Sequence, residues 1–160
     1  MIEKGFNSVT IGAVERFVTE TAFENGWVEP IPVGPARGQS VGIIGAGPGG
    51  LAAAEQLRRR GYDVTVYDRY DRVGGLLIYG IPGFKLEKEV VSRRADRLVE
   101  AGVSFELNFE VGRDASLAEL RARHDAVLIA TGVYRARDLQ CPGVGLDGIY
   151  PALDFLTTSN

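Results

Sequence analysis

The chain has 160 residues, of which 45% are hydrophobic and 24% charged, the composition of a globular domain with one sizeable core. A net charge of −3 offers no electrostatic reason for nucleic acid or an anionic membrane as a partner. One cysteine (Cys141) and one histidine (His124) exclude a disulfide framework and leave no ligand set for zinc or an iron–sulfur cluster. The opening Met1-Ile2-Glu3-Lys4-Gly5 lacks the apolar stretch of a signal peptide, and the longest apolar run, 126–130, is far short of a membrane span. A reducing, cytoplasmic setting is therefore expected.

In chain order, Thr10 is placed to cap a helix over 11–24. Ile11, Val14, Phe17 and Val18 recur there at helical spacing, and Asn25-Gly26 supplies the stop. Pro30, Pro32, Gly34, Pro35 and Gly38 then read as an irregular linker in which Trp27 serves as an anchor. Residues 1–39 thus form a helical extension and linker, and 40–160 the domain proper. Val41-Gly42-Ile43-Ile44 suits a buried parallel strand. A glycine-rich turn follows, then a helix over 48–60 closed by Gly61, and a second strand at Val64-Thr65-Val66-Tyr67. The stretch 68–85 has no period and reads as a long functional loop.

A further helix is expected over 86–101, its apolar face made by Val90, Val91, Ala95, Leu98 and Val99, ending at Gly102. A third strand takes 103–107. Ser116 with Glu119 forms a capping box for a short helix to Arg123. The fourth strand takes 126–130 and turns at Thr131-Gly132, and a last short helix is expected over 151–156. The arginines at 58–60 and at 93, 94 and 97 read as solvated helix faces, and His124 as a capping or surface residue. Cys141, beside Pro142, has no assigned chemistry.

Gly45-Ala46-Gly47-Pro48-Gly49-Gly50 matches G-x-G-x-x-G, and so does Gly143-Val144-Gly145-Leu146-Asp147-Gly148. Only the first copy leaves a buried strand, opens a helix and is followed by an acid, Asp68, at the end of the next strand. The second follows Pro142 with no strand leading in, so it reads as a surface turn. In the first copy Gly45 permits the tight turn, Gly47 lets backbone approach a pyrophosphate, and Gly50 lets the helix pack on the strand. Free N–H groups and the positive helix end favour phosphate, while Asp68 can accept hydrogen bonds from a ribose. The fold class is accordingly α/β: a Rossmann-like parallel sheet with flanking helices, the N-terminal portion of a dinucleotide-binding fold, preceded by a short helical extension.

Two features separate FAD from NAD. Arg72-Val73-Gly74-Gly75 brings bare backbone towards the ligand beyond its ribose, and Ala130-Thr131-Gly132 ends the fourth strand at the same carboxyl edge. Together these resemble the FAD domain of flavin disulfide reductases. The run from Asp68-Arg69-Tyr70 through Gly80-Ile81-Pro82-Gly83-Phe84-Lys85-Leu86 is more specific, and resembles the small subunit of NADPH-dependent glutamate synthase and the dihydropyrimidine dehydrogenase and adrenodoxin-type reductases. Thr10-Ile11-Gly12-Ala13-Val14-Glu15-Arg16 and Gly26-Trp27-Val28 resemble the segment before that family's FAD fold.

The resemblance implies FAD contacts at Gly49, Asp68, Gly75, Leu76, Lys85, Val111 and Thr131, with Lys85 in the loop that reaches the flavin and backbone at Val111 against the adenine. The neighbouring Ala46, Pro48, Arg69, Gly74, Ala130 and Gly132 complete the expected cofactor-binding set, in which no residue is catalytic. It also implies electron flow from NADPH through FAD and iron–sulfur clusters to a glutamate-forming large subunit. This chain has neither a second nucleotide loop, nor a Gly-Asp pair, nor a cysteine cluster, so a fragment lacking the NADPH domain and the late FAD segment is expected. Two alternatives stand beside it: a plain NAD(P)-binding dehydrogenase domain and a non-catalytic assembly module.

Overall fold

The computed structural model describes residues 10–134 and 139–159 and divides the chain into two compact units, Met1–Pro30 and Ile31–Asn160. The sequence reading of Met1-Ile2-Glu3-Lys4-Gly5 lies outside the described residues.

The first unit is built on helix α1 (Ile11–Glu24), whose bounds follow the apolar spacing. Thr10 does not cap it with its side chain, contrary to expectation; its carbonyl accepts the Val14 N–H at 3.0 Å, and its backbone is not in the extended conformation that aims a capping oxygen at the first turn. The stop works as expected: Gly26 has φ +69°, and the Trp27 N–H returns to the Ala22 carbonyl. The apolar stripe of α1 is solvent-exposed, with Phe17 71% accessible, and Trp27 is 67% accessible rather than anchored.

The second unit holds a four-stranded, wholly parallel sheet in the order β3-β2-β1-β4, formed by β1 (Ser40–Ile44), β2 (Asp63–Tyr67), β3 (Val103–Glu106) and β4 (Ala126–Ile129). Parallel strands require crossovers, and helices α2 (Pro48–Arg59), α4 (Lys88–Glu100) and α5 (Leu117–Arg123) supply them. The period of two sorts the strand side chains by face. Val41, Ile43, Val64 and Val66 meet Leu51 and Ala54 of α2 and Leu98 of α4, while Ile44 and Tyr67 meet Ala115 and Leu120 on the other side. Ile43, Val66, Leu98 and Leu120 are sealed from solvent. Residues 31–39 have no regular structure, yet Ile31 joins the main core and Gly34 and Arg37 donate to the Arg58 and Gly61 carbonyls.

Several expectations need correction. The stretch 68–85 contains one helical turn, α3 (Leu76–Tyr79), too short to produce a periodicity in sequence. Helix α4 begins at Lys88 because Pro82 and the turn after it hold residues 82–86, and Val99 is exposed while Val91, Ala95 and Leu98 form the buried stripe. The last helix, α6, spans Ala152–Ser159. The arginines are not simple solvated faces. Arg58 donates to the Ala101 and Tyr62 carbonyls at 2.8 and 2.7 Å, closing the carboxyl end of α4, and Arg59 and Arg94 both pair with Glu55. Strand β4 lies at the sheet edge with Leu128 and Ile129 exposed. Among the described residues no helix is long and apolar enough to cross a membrane.

Candidate functional site

Because every strand is parallel, the carboxyl ends of β1, β2 and β4 lie on one edge of the sheet, and the chain leaves them at Gly45, Asp68 and Ala130. Gly45 sits there with φ +115°, and a Cβ on it would lie 2.5 Å from the Ala130 carbonyl oxygen, so the turn and the close approach both need glycine. The same junction is bonded by Gly45 N–H to Tyr67 O and Ala130 N–H to Ile44 O, each at 2.8 Å.

The other two glycines that define the motif have opposite environments. A Cβ on Gly50 would fall 1.9 Å from the Gly45 carbonyl oxygen, whereas one on Gly47 would meet nothing within 4 Å. Gly50 therefore serves helix–strand packing and Gly47 faces open space. Gly47 is the extended residue before α2, Pro48 occupies the first helical position, and no side chain caps the helix. The first-turn N–H groups of α2 consequently have no intrahelical partner and add to the positive end of the helix dipole. Gly75 brings the loop after β2 over the same place: its φ is +54°, and a Cβ would lie 2.8 Å from the Gly47 Cα. Gly74 fixes that crossing by donating to the Ala46 carbonyl at 2.9 Å.

Asp68 is held between these segments. Its Oδ2 accepts the Ala46 N–H at 2.6 Å and its Oδ1 the Tyr70 N–H at 2.9 Å. A carboxylate has roughly four acceptor sites, so two such bonds orient the group and leave capacity for a diol.

These residues surround a cleft of about 550 Å³, within the range of small-molecule and cofactor sites. Gly45, Gly47, Pro48, Gly49, Asp68, Arg69, Gly75, Leu76, Val111, Ala130, Thr131 and Gly132, all anticipated from sequence, line it. Ala46, Gly50 and Gly74 stand behind the lining and shape it. Lys85 is not brought to the cleft; it is exposed in the turn that Pro82 closes by accepting the Lys85 N–H.

The sequence reading missed Ile44, Tyr67, Tyr70, Phe109, Glu110, Val133 and Tyr134. Ile44 and Tyr67 end their strands, and that position was a usable signal. Tyr134 had no local signal. Phe109 packs against Tyr67 with ring centroids 5.0 Å apart, and Tyr70 stacks on Tyr79 at 4.5 Å. Tyr79 is buried beneath that stack and bonds Asp71, whereas Phe84 is exposed to solvent. Arg69 lies 4.9 Å above the Tyr70 ring and 4.3 Å from the Tyr134 ring centroid.

His124 caps the carboxyl end of α5 as expected, its backbone N–H donating to the Leu120 carbonyl at 3.1 Å, but its ring is not a free surface group. Its Nε2 is 2.8 Å from the Tyr67 hydroxyl and its Nδ1 3.2 Å from Ser40 Oγ, and its ring covers Gly42, where a Cβ would come within 2.7 Å. Burial, aided by the nearby Arg123 cation, holds its pKa below the ordinary histidine value. The second G-x-G-x-x-G, at 143–148, is an exposed turn, and Cys141 is an exposed free thiol.

The chain also has relatives among known proteins. The chain is 65% identical over 153 residues to the glutamate synthase [NADPH] small chain of Azospirillum brasilense, covering 96% of this chain and 32% of that protein. It is 64% identical over 158 residues to a putative glutamate synthase [NADPH] small chain of Cereibacter sphaeroides, covering 99% and 38%. It thus spans about a third of the length of these relatives. Among solved structures, Mycobacterium tuberculosis FprA in complex with NADPH superposes with a TM-score of 0.66 at 27% identity, over 74% of this chain and 28% of that one. The family model for pyridine nucleotide-disulphide oxidoreductases matches residues 39–158. The chain belongs to the pyridine nucleotide-disulphide oxidoreductase family.

Proposed function

We propose that this chain is the FAD-binding portion of an NADPH-dependent glutamate synthase small subunit. The observation that carries the reading is the open space over Gly47 and Gly49, where the bare start of α2, the Gly75 crossing and Asp68 converge. A pyrophosphate needs backbone N–H groups without intervening side chains, and an adenosine ribose needs an oriented acceptor beside them. The residues present fit that ligand. Gly49, Asp68, Gly75, Leu76, Val111 and Thr131 are the proposed contacts, with Arg69, Ala130 and Gly132 beside them. Lys85 rests on family resemblance, and its contact requires the turn around Pro82 to move towards the cleft.

When bound, the flavin would supply the redox chemistry; the chain's own residues bind and orient it. In this reading residues 40–160 are the cofactor-binding domain and 1–39 its extension. NADPH and the iron–sulfur clusters belong to the rest of the parent protein. Electrons pass towards a glutamate-forming large subunit, in the cytoplasm, without nucleic acid or membrane. The likeness to two small chains at 64–65% identity supports this assignment.

Titration of the purified chain with FAD tests it. A perturbed flavin absorption spectrum and quenched flavin fluorescence are expected, with weak retention on gel filtration. Binding of NAD(H) without FAD would favour a plain nicotinamide-binding domain. Binding of neither would leave an assembly module as the better reading.

A further inference from the structure

The side chains from Arg72 to Tyr134 form a continuous stack that the cofactor reading does not explain. Arg72 lies 4.9 Å from the Tyr79 ring, Tyr79 stacks on Tyr70 at 4.5 Å, and Arg69 lies 4.9 Å from Tyr70 and 4.3 Å from Tyr134. Its foot is fixed. Tyr79 is buried, its hydroxyl bonds Asp71 and accepts the Arg72 N–H at 3.1 Å, and Arg69 Nη2 donates to the Tyr70 hydroxyl at 3.1 Å. Its far end is different. Tyr134 lies two residues beyond Gly132, which has φ +73° and open space where a Cβ would stand. Arg69 and Tyr134 both line the cleft and both reach solvent, which puts them at its mouth. Their contact joins the loop after β2 to the loop after β4.

We propose that the Arg69–Tyr134 contact is a latch across the mouth of the cleft that controls how fast a dinucleotide enters and leaves. The inference rests on the cofactor reading above. A cation over a solvent-exposed aromatic face makes a weak contact, so it slows opening at the mouth without excluding water from a whole interface. The latch stands closed in the free chain, closes again over the bound ligand, and opens only for passage. Its strength therefore raises both barriers equally and cancels from the equilibrium constant. That signature separates a latch from a residue that touches the adenine, which would alter release and affinity together.

Stopped-flow fluorescence with FAD and the 160-residue chain tests the latch, using Tyr134→Leu to remove the aromatic face and Tyr134→Phe to keep it. Tyr134 is preferred to Arg69 because loss of the guanidinium would also change the attraction for the pyrophosphate. Tyr134→Leu is expected to raise the association and dissociation rate constants together, by roughly 2- to 5-fold, with their ratio held. Tyr134→Phe is expected to restore the slow rates. Unchanged rates in Tyr134→Leu overturn the latch, and so does faster release with a matching loss of affinity. A circular dichroism melt of each variant guards against unfolding, and a Tyr134→Leu chain that melts early while Tyr134→Phe has altered rates also counts against it. If the unsubstituted chain takes up neither FAD nor ADP, the cofactor reading fails and the latch with it; if FAD binds normally and the rates ignore position 134, only the latch fails.

Discussion

Glycines 47 and 50 carry the same letter in one motif and do different work, which a single methyl group separates. Gly50→Ala would drive its Cβ into the Gly45 carbonyl oxygen, a backbone atom that cannot step aside without moving β1. A loss of about 2–3 kcal/mol is expected, read as a lower urea midpoint. Gly47→Ala places its methyl in open space at a φ of −77° that alanine adopts freely, so the stability should change by no more than about 1 kcal/mol. The same methyl occupies the approach of the pyrophosphate, and FAD affinity should fall by about tenfold or more. A Gly47→Ala chain that binds FAD like the unsubstituted one would remove the phosphate loop from the site.

The helices owe their ends to side chains as much as to propensity. The Ser116–Glu119 capping box of α5 was legible because both partners lie within one turn, and the two reciprocal bonds are present. The end of α4 was not legible, since its closing group, Arg58, comes from α2, 43 residues away. Arg58 turns three donors on the Ala101 carbonyl, the Tyr62 carbonyl and the Asp63 carboxylate, and thereby joins α2, α4 and the start of β2. Arg58→Ala leaves two carbonyls without their charged donor and removes a packed aliphatic stem. A destabilisation of about 2 kcal/mol is expected in chemical denaturation. Arg60→Ala, which loses only bonds within its own helix to Gln56, should cost well under half of that.

Across the whole sheet unit, His124 links the amino end of β1, through Ser40, to the carboxyl end of β2, through Tyr67. With the Tyr67 O–H donating to Nε2, the Nδ1–H donates to Ser40 Oγ, an arrangement that only the neutral ring permits. The folded pKa of His124 lies below the unfolded one because burial and Arg123 oppose the charge, with Asp125 working against them. Stability from this group is therefore complete above the ordinary histidine pKa of about 6.5 and is lost as pH falls through the lower folded value. The melting temperature should drop more steeply between about pH 7 and pH 5 in the unsubstituted chain than in His124→Gln, because the carboxylates titrate in both. Equal slopes would show that His124 does not couple to folding.

The sequence by itself determined the phosphate loop, the acid after β2, the second glycine pair, the turn after β4 and the order of strands and helices. Each of these is written in a few consecutive residues, and local chemistry suffices to read them: glycine at a tight turn or a close approach, short apolar runs for the strands, a serine three residues before its glutamate. Twelve of the anticipated residues meet in one cleft because parallel strands bring their carboxyl ends to one edge. Only the tertiary structure decided that Tyr70, Phe109 and Tyr134 wall that cleft, that His124 bridges two strands, and that Lys85 stands away from the lining. Those facts depend on pairs of residues far apart in the chain, whose meeting follows from strand register and crossover length and leaves no mark in either local sequence.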